Sequence, residues 1–283
     1  MSIAANKDGN APIGLFDSGI GGLSVYLHLA QQLPVERYIY YADTLHLPYG
    51  DRESKEIEAF TLTAVDWLYK QGCKLIVIAC NSASAYGLDA ARRCYPHLPI
   101  VGLVPALKPA ILASKSGHVA VLATKATLNG MLLNQVIADI ALPNQTEVTK
   151  YFDPQLVPWV ESGMPETSET AQRLRQQVRA FATDDIDYLV LGCTHYPFFR
   201  AFLVDEINAQ QLSMQVIDSG QAIATRVQSL LAKQNLLATP ENSIACRNDK
   251  KHPLVFYASK YDDRLDGVVR RLLGAQTQIE YVF

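Results

Sequence analysis

Short aliphatic runs alternate along this chain with longer stretches whose apolar positions recur at helical spacing. Ile13-Gly14-Leu15-Phe16 is the first run. It ends at Asp17, passes through Gly19, Gly21 and Gly22, and enters Leu23-Ser24-Val25-Tyr26-Leu27, which reads as strand, tight loop and helix. Tyr38-Ile39-Tyr40-Tyr41 predicts a second strand ending at Ala42-Asp43, and Ile57 to Tyr69 a helix that Gly72 terminates. Leu75 to Ala79 predicts a fully buried strand with Cys80 at its carboxyl end; Ile100 to Leu103 follows after another helical stretch. The scheme then begins again. His118–Leu122 is a strand ending at Ala123-Thr124, Leu128–Ile140 a helix, Val148–Phe152 a strand, Thr170–Phe181 a helix, and Tyr188–Gly192 a strand with Cys193 at its end. Beyond it the pattern predicts a strand at Gln215-Val216-Ile217, a helix over Ala222–Ala232, a polar loop over 234–251, a strand over Leu254–Tyr257 and a helix over Asp263–Leu273.

Strand alternating with helix predicts an α/β protein with mostly parallel sheets covered on both faces. The two passes resemble one unit written twice, with Ala79-Cys80-Asn81-Ser82 and Gly192-Cys193-Thr194-His195 in equivalent places. The expected architecture is therefore two similar doubly wound domains. Residues 1–105 plus 216–283 form the first, to which the last segment returns, and residues 106–215 form the second. Ligands of open parallel sheets bind outside the carboxyl ends of the strands. Two such units facing each other would bring both cysteines to one cleft.

Composition narrows the function class. At 283 residues, 49% hydrophobic and 19% charged, the chain is an ordinary globular one. Its 25 basic and 28 acidic residues are mixed, with net charge −3, so no basic stripe points to nucleic acid. Arg92–Arg93 and Arg270–Arg271 read as solvated helix surface. Met1 to Asn10 lacks the order of a signal peptide, and the longest aliphatic run, Leu75 to Cys80, is far too short to span a bilayer. The expectation is a cytoplasmic protein without membrane partners. The five cysteines, Cys73, Cys80, Cys94, Cys193 and Cys246, are too sparse for a disulfide framework. No C-x-x-C pair suggests structural zinc, and no metal is expected.

Four segments carry candidate chemistry. Asp17-Ser18-Gly19-Ile20-Gly21-Gly22 is a strand-to-helix loop whose backbone N–H groups suit an anion. It has neither the Gly-Lys-Ser/Thr of a P-loop nor the glycine spacing of a dinucleotide fingerprint. Asp17 could hold an ammonium group or tune a neighbour's pKa. Pro48-Tyr49-Gly50 reads alone as a turn. Cys80 precedes a helix expected to start near Ser82, where free N–H groups and the dipole lower a thiol's pKa; Asn81 and Ser82 add polar donors. Cys193-Thr194-His195-Tyr196-Pro197 repeats that setting, with His195 able to polarise the thiol. Either cysteine alone reads as a buried structural thiol. The matched pair points instead to inversion of a carbon stereocentre, where one thiol removes a proton from one face and the other returns one to the opposite face. Such a site must stabilise carbanion charge with preorganised donors. No lysine context for pyridoxal phosphate is recognisable, so the thiols would work without a cofactor. An anion-binding protein needing neither thiol, and a zinc protein using Cys80, Cys193 and His195, remain the alternatives.

Through Phe16-Asp17-Ser18-Gly19-Ile20-Gly21-Gly22, Pro48-Tyr49-Gly50, Ala79-Cys80-Asn81-Ser82-Ala83-Ser84 and Gly192-Cys193-Thr194-His195-Tyr196-Pro197, the chain resembles the glutamate racemases of the aspartate/glutamate racemase superfamily over nearly its whole length. The resemblance implies two α/β domains related by pseudo-twofold symmetry with the active site between them. It implies interconversion of L- and D-glutamate, supplying D-glutamate for peptidoglycan. It assigns Cys80 to deprotonation of D-glutamate and Cys193 to that of L-glutamate, with Asp17 and His195 assisting the adjacent thiols. Asp17, Ser18, Pro48, Tyr49, Gly50, Asn81, Ser82, Thr194 and His195 would line the substrate site, joined by Thr124 and Thr127. Ser82 stands where the family commonly has threonine, and Ala123 and Ala126 where glycines are frequent. Relatives acting on aspartate, hydantoins or malonates share the plan. The oligomeric state is left open, a homodimer included.

Overall fold

The computed structural model describes residues 8–239, 254–260, 263–273 and 279–281; Cys246 and most of the polar loop predicted over 234–251 lie outside them. In chain order the elements are β1 (Ile13–Asp17), α1 (Leu23–Gln32), β2 (Tyr38–Ala42), α2 (Ser54–Lys70), β3 (Leu75–Ile78), α3 (Asn81–Cys94), β4 (Ile100–Gly102), α4 (Leu107–Ala113), β5 (His118–Leu122), α5 (Lys125–Asn129), α6 (Met131–Val136), β6 (Glu147–Tyr151), α7 (Leu156–Glu161), α8 (Glu169–Thr183), β7 (Tyr188–Leu191), α9 (Arg200–Ala209), β8 (Gln215–Ile217), α10 (Gly220–Lys233), β9 (Leu254–Ala258), α11 (Asp263–Leu273) and β10 (Ile279–Tyr281).

The chain divides into two compact units, residues 1–103 with 220–283, and 104–219. The first contains a sheet in the order β10-β9-β2-β1-β3-β4 and the second a sheet in the order β6-β5-β7-β8, every pairing parallel. Taken in chain order, β2-β1-β3-β4 and β6-β5-β7-β8 are the same winding: first strand, second beside it, third on the first strand's other side, fourth outermost. The two α/β units are therefore alike in topology. The strand at Gln215–Ile217 pairs with β7 through Leu189↔Val216, so it completes the second sheet. The return to the first unit comes at Gly220, not at residue 216.

The strands behave as their composition demands. All of β1 and β3 is buried, as expected of central strands covered on both faces. In the second unit the side-chain alternation sorts residues between two cores. Ala120, Leu122, Leu189 and Leu191 pack with Trp159, Leu174, Val178, Phe181 and Leu203 from α7, α8 and α9. Val119, Val121 and Val190 pack with Leu107, Ala110, Ile111 and Leu133 from α4 and α6. Helix α2 ends as expected at Gly72, whose φ of 78° suits glycine. At the amino ends of β1 and β3, the fully buried Lys74 ammonium bonds Glu36, Gly9 O and Leu236 O. Glu36 in turn accepts from the Ala238 N–H at 2.9 Å.

One predicted helix is broken. Residues 128–140 do not form a single rod: Gly130 takes an extended conformation, with ψ 146°, between α5 and α6, and Ile137–Ala141 continues as a π-helical turn. The carbonyls freed at the break are taken by side chains. Asn134 Nδ2 donates to Gly130 O and Lys150 Nζ to Leu128 O. Helices α4, α7 and α9 and strand β10 carry too little pattern to be expected. Pro109 and Pro158 each stand third in a short helix, where a missing N–H costs no intrahelical bond.

Candidate active site

In the first unit the chain runs from β1 to β2 on one side of β1 and then crosses to β3 on the other. The carboxyl ends of β1 and β3 are thus the point where the winding reverses, which is where open sheets bind ligands. Asp17 ends β1, and Cys80 follows β3. The Cys80 Sγ caps α3, accepting the Ala83 N–H at 3.5 Å, and lies 3.7 Å from the Ser18 hydroxyl. Asp17 is fully buried, and its carboxylate takes the Gly19 N–H at 2.6 Å. The sequence predicts a lowered thiol pKa at this helix N-terminus; the structure reverses that. Burial, followed by the Asp17 charge, pushes the Cys80 thiol up to about 12, and the bonds from Ala83 and Ser18 only partly oppose it. Cys80 therefore carries its proton at neutral pH.

Asn81 and Ser82 open α3 and are buried. Asn81 was expected to act as a donor. Among the described residues its Oδ1 is a buried side-chain atom with no hydrogen-bond partner, an acceptor awaiting an N–H group. Pro48 follows a cis peptide bond and is exposed. Tyr49 is buried against Phe16, with ring centroids 6.1 Å apart. Its hydroxyl is committed to Asp43 Oδ2 at 2.6 Å, which leaves the backbone of Tyr49 and Gly50 as the segment's contribution to a ligand. Asp43, which the sequence did not single out, also takes His46 Nδ1 at 2.9 Å and the Ser259 hydroxyl at 3.0 Å.

The second unit reverses between β5 and β7, and the same positions are filled. Thr124 follows β5 and caps α5, accepting the Thr127 N–H at 3.3 Å and donating to the Thr127 hydroxyl at 3.0 Å. Cys193, Thr194 and His195 follow β7, all buried. His195 Nδ1 lies 4.0 Å from Cys193 Sγ, and its Nε2 lies 3.2 Å from Glu161 Oε1. Burial alone would lower the imidazole's pKa. The bonds and charges of Cys193 and Glu161 outweigh that and raise it to about 10, so His195 is an imidazolium at neutral pH. Glu161 ends α7, a short helix that the sequence pattern did not reveal; a carboxylate partner for His195 is the residue sequence reasoning missed.

Among the described residues, no group of three or more histidine, cysteine and acidic side chains is arranged to hold a metal ion. Nor is any described helix long and apolar enough to cross a membrane.

Comparison with known proteins finds relatives over most of the chain. The family model described as Asp/Glu/Hydantoin racemase matches residues 13–227. A glutamate racemase of Deinococcus radiodurans is 43% identical over 245 residues, covering 85% of this chain and 83% of its own. Among solved structures, a glutamate racemase of Bacillus anthracis superposes with a TM-score of 0.81 at 27% identity, covering 96% of this chain and 97% of that one. One of Francisella tularensis, solved in complex with D-glutamate, gives 0.79 at 29% identity over 97% and 98%.

Proposed function

The chain belongs to the Asp/Glu/hydantoin racemase family, and we propose that it interconverts L- and D-glutamate by a two-thiol proton transfer that needs no added cofactor. The observation that carries this reading is the repetition: two units of the same winding each place a buried cysteine after the third strand, at the reversal point, beside polar partners of opposite character. Cys80 has a carboxylate and a hydroxyl for company; Cys193 has an imidazolium.

In the L-to-D direction Cys193, as thiolate, takes the α-proton, and the Cys80 thiol delivers its proton to the opposite face of the carbanion. The thiolate then resides on Cys80, and the reverse reaction starts from that form. The proton held on Cys80 and the charge held on His195 set the resting protein for the L-to-D step. The Asp17 carboxylate and the Asn81 carbonyl suit the substrate ammonium. Ser18, Ser82, Thr124, Thr127 and Thr194, with the N–H groups of the Tyr49–Gly50 turn, suit its carboxylates and the developing negative charge. The D-glutamate made would serve peptidoglycan assembly in the cytoplasm.

The test follows the circular dichroism of L-glutamate without added cofactor, with L-aspartate in parallel. Wild-type protein is expected to abolish the glutamate signal. Cys80→Ser and Cys193→Ser should each lose at least about a thousandfold in kcat, as expected when an acid–base group is removed, with unchanged far-ultraviolet spectra. Full activity in either variant, or loss of signal with aspartate alone, overturns the proposal.

A further inference from the structure

The loop that carries Asp17 and Ser18 is held from behind by one phenol. Tyr40 lies in β2 opposite Leu15 of β1 and is fully buried. Its hydroxyl donates to Gly19 O at 3.0 Å. A Cβ added to Gly22 would sit 2.8 Å from the phenol oxygen, so glycine is required for the approach. Helix α1 has no side-chain cap of its own at Gly22; its first N–H groups bond loop carbonyls, Leu23 N–H to Ile20 O and Ser24 N–H to Gly21 O, both at 3.0 Å.

Gly19 is consequently gripped at both of its polar groups. Its C=O takes the Tyr40 hydroxyl, and its N–H goes to the Asp17 carboxylate. We infer that Tyr40 is a positioning residue for the Cys80 half of the reaction, fixing Gly19 and through it the Asp17 carboxylate and Ser18 hydroxyl beside the thiol. The inference rests on the two-thiol reading above. Removing the oxygen frees the loop and leaves the buried Gly19 carbonyl without its phenol donor. Asp17 then loses its fixed relation to Cys80, while Cys193, His195 and Glu161, in the other unit, keep theirs.

The experiment compares wild type, Tyr40→Phe and Tyr38→Phe. Tyr38 is the matched control. It lies on the same strand and is buried, and its phenol also bonds backbone carbonyls, Leu29 O and Leu33 O at 3.1 and 2.9 Å, but at the opposite end of α1. Primary isotope effects are measured with [2-²H]-D-glutamate and [2-²H]-L-glutamate. In Tyr40→Phe kcat should fall about tenfold to a hundredfold, the scale of leaving buried hydrogen-bonding groups unpaired. The isotope effect should rise for D-glutamate, whose proton goes to Cys80, and fall for L-glutamate. Tyr38→Phe should lower the unfolding midpoint and leave both isotope effects at wild-type values. An inactive wild type refutes the two-thiol reading itself. An active wild type with the two isotope effects unmoved, or moved together, in Tyr40→Phe overturns the role of Tyr40 alone.

Discussion

Replacing Glu161 by glutamine removes one negative charge and little else from the second unit's cluster. Glutamine keeps an oxygen that can accept from His195 Nε2, so the 3.2 Å contact can survive while its charge assistance is lost. A hydrogen bond to a charged group contributes about 1.5–3 kcal/mol. Glu161 is 31% exposed against 4% for the His195 side chain, so solvent screening brings the loss to about 1–2 kcal/mol. At 1.36 kcal/mol per pH unit that lowers the histidine's pKa, raised to about 10 in the wild type, by about one unit. The assay is kcat/KM for L-glutamate between pH 6 and 10.5. The alkaline limb should move about one unit toward acid, with rates near pH 7 much less affected. The sign of the stability effect follows from the same shift. Folding raises this pKa, so the imidazolium's contribution is complete below the unfolded value of about 6.5 and is lost as pH climbs through about 10. The stability gap between variant and wild type should therefore be full at neutral pH and close as pH climbs through about 10. An alkaline limb that stays in place or moves upward would refute the pairing of Glu161 with His195 as the source of the charge.

Two further outcomes follow from burial. With iodoacetamide at pH 8, Cys94, which is exposed, should alkylate well before Cys80 and Cys73, whose burial pushes both thiols up to about 12; peptide mass spectrometry reads the order, and Cys80 labelled as fast as Cys94 would contradict a protonated resting thiol. Lys74→Met leaves Glu36 buried without its counter-ion and should cost about 3–5 kcal/mol in urea unfolding, with much of the loss recovered in the Lys74→Met/Glu36→Leu double variant.

Much of the fold was legible because central parallel strands such as Leu75–Ile78 are unbroken aliphatic runs, and because the helices between them keep a 3.6-residue stripe. The equivalence of Cys80 and Cys193 was legible too, since each follows such a run. What escaped depends on distance in space. Glu161 lies on a six-residue helix containing a proline, 34 positions before its histidine partner. Ser259 meets Asp43 across 216 positions. The break at Gly130 is stabilised by Lys150 from the next strand, a partner that no local window contains. The sign of the Cys80 shift failed for another reason: the helix terminus acts locally and is visible in sequence, whereas desolvation sums over everything packed around the thiol.

The interrupted first unit also imposes an order on biosynthesis. As the chain leaves the ribosome, β1 to β4 emerge first and can assemble with β2 at a bare edge. The whole of residues 104–219 is then made before β9 arrives to pair with β2 through Tyr40↔Phe256. For that interval Tyr38–Ala42 shows an unpaired row of backbone groups, a template for another nascent chain. A product terminated between residues 220 and 253 would carry Cys80 and Cys193 with the loops that follow β1, β3, β5 and β7, but neither β9 nor Ser259. It would nevertheless leave the strand that anchors the Asp17 loop open to aggregation, so the hazard of premature termination falls on a chain that already holds both cysteines.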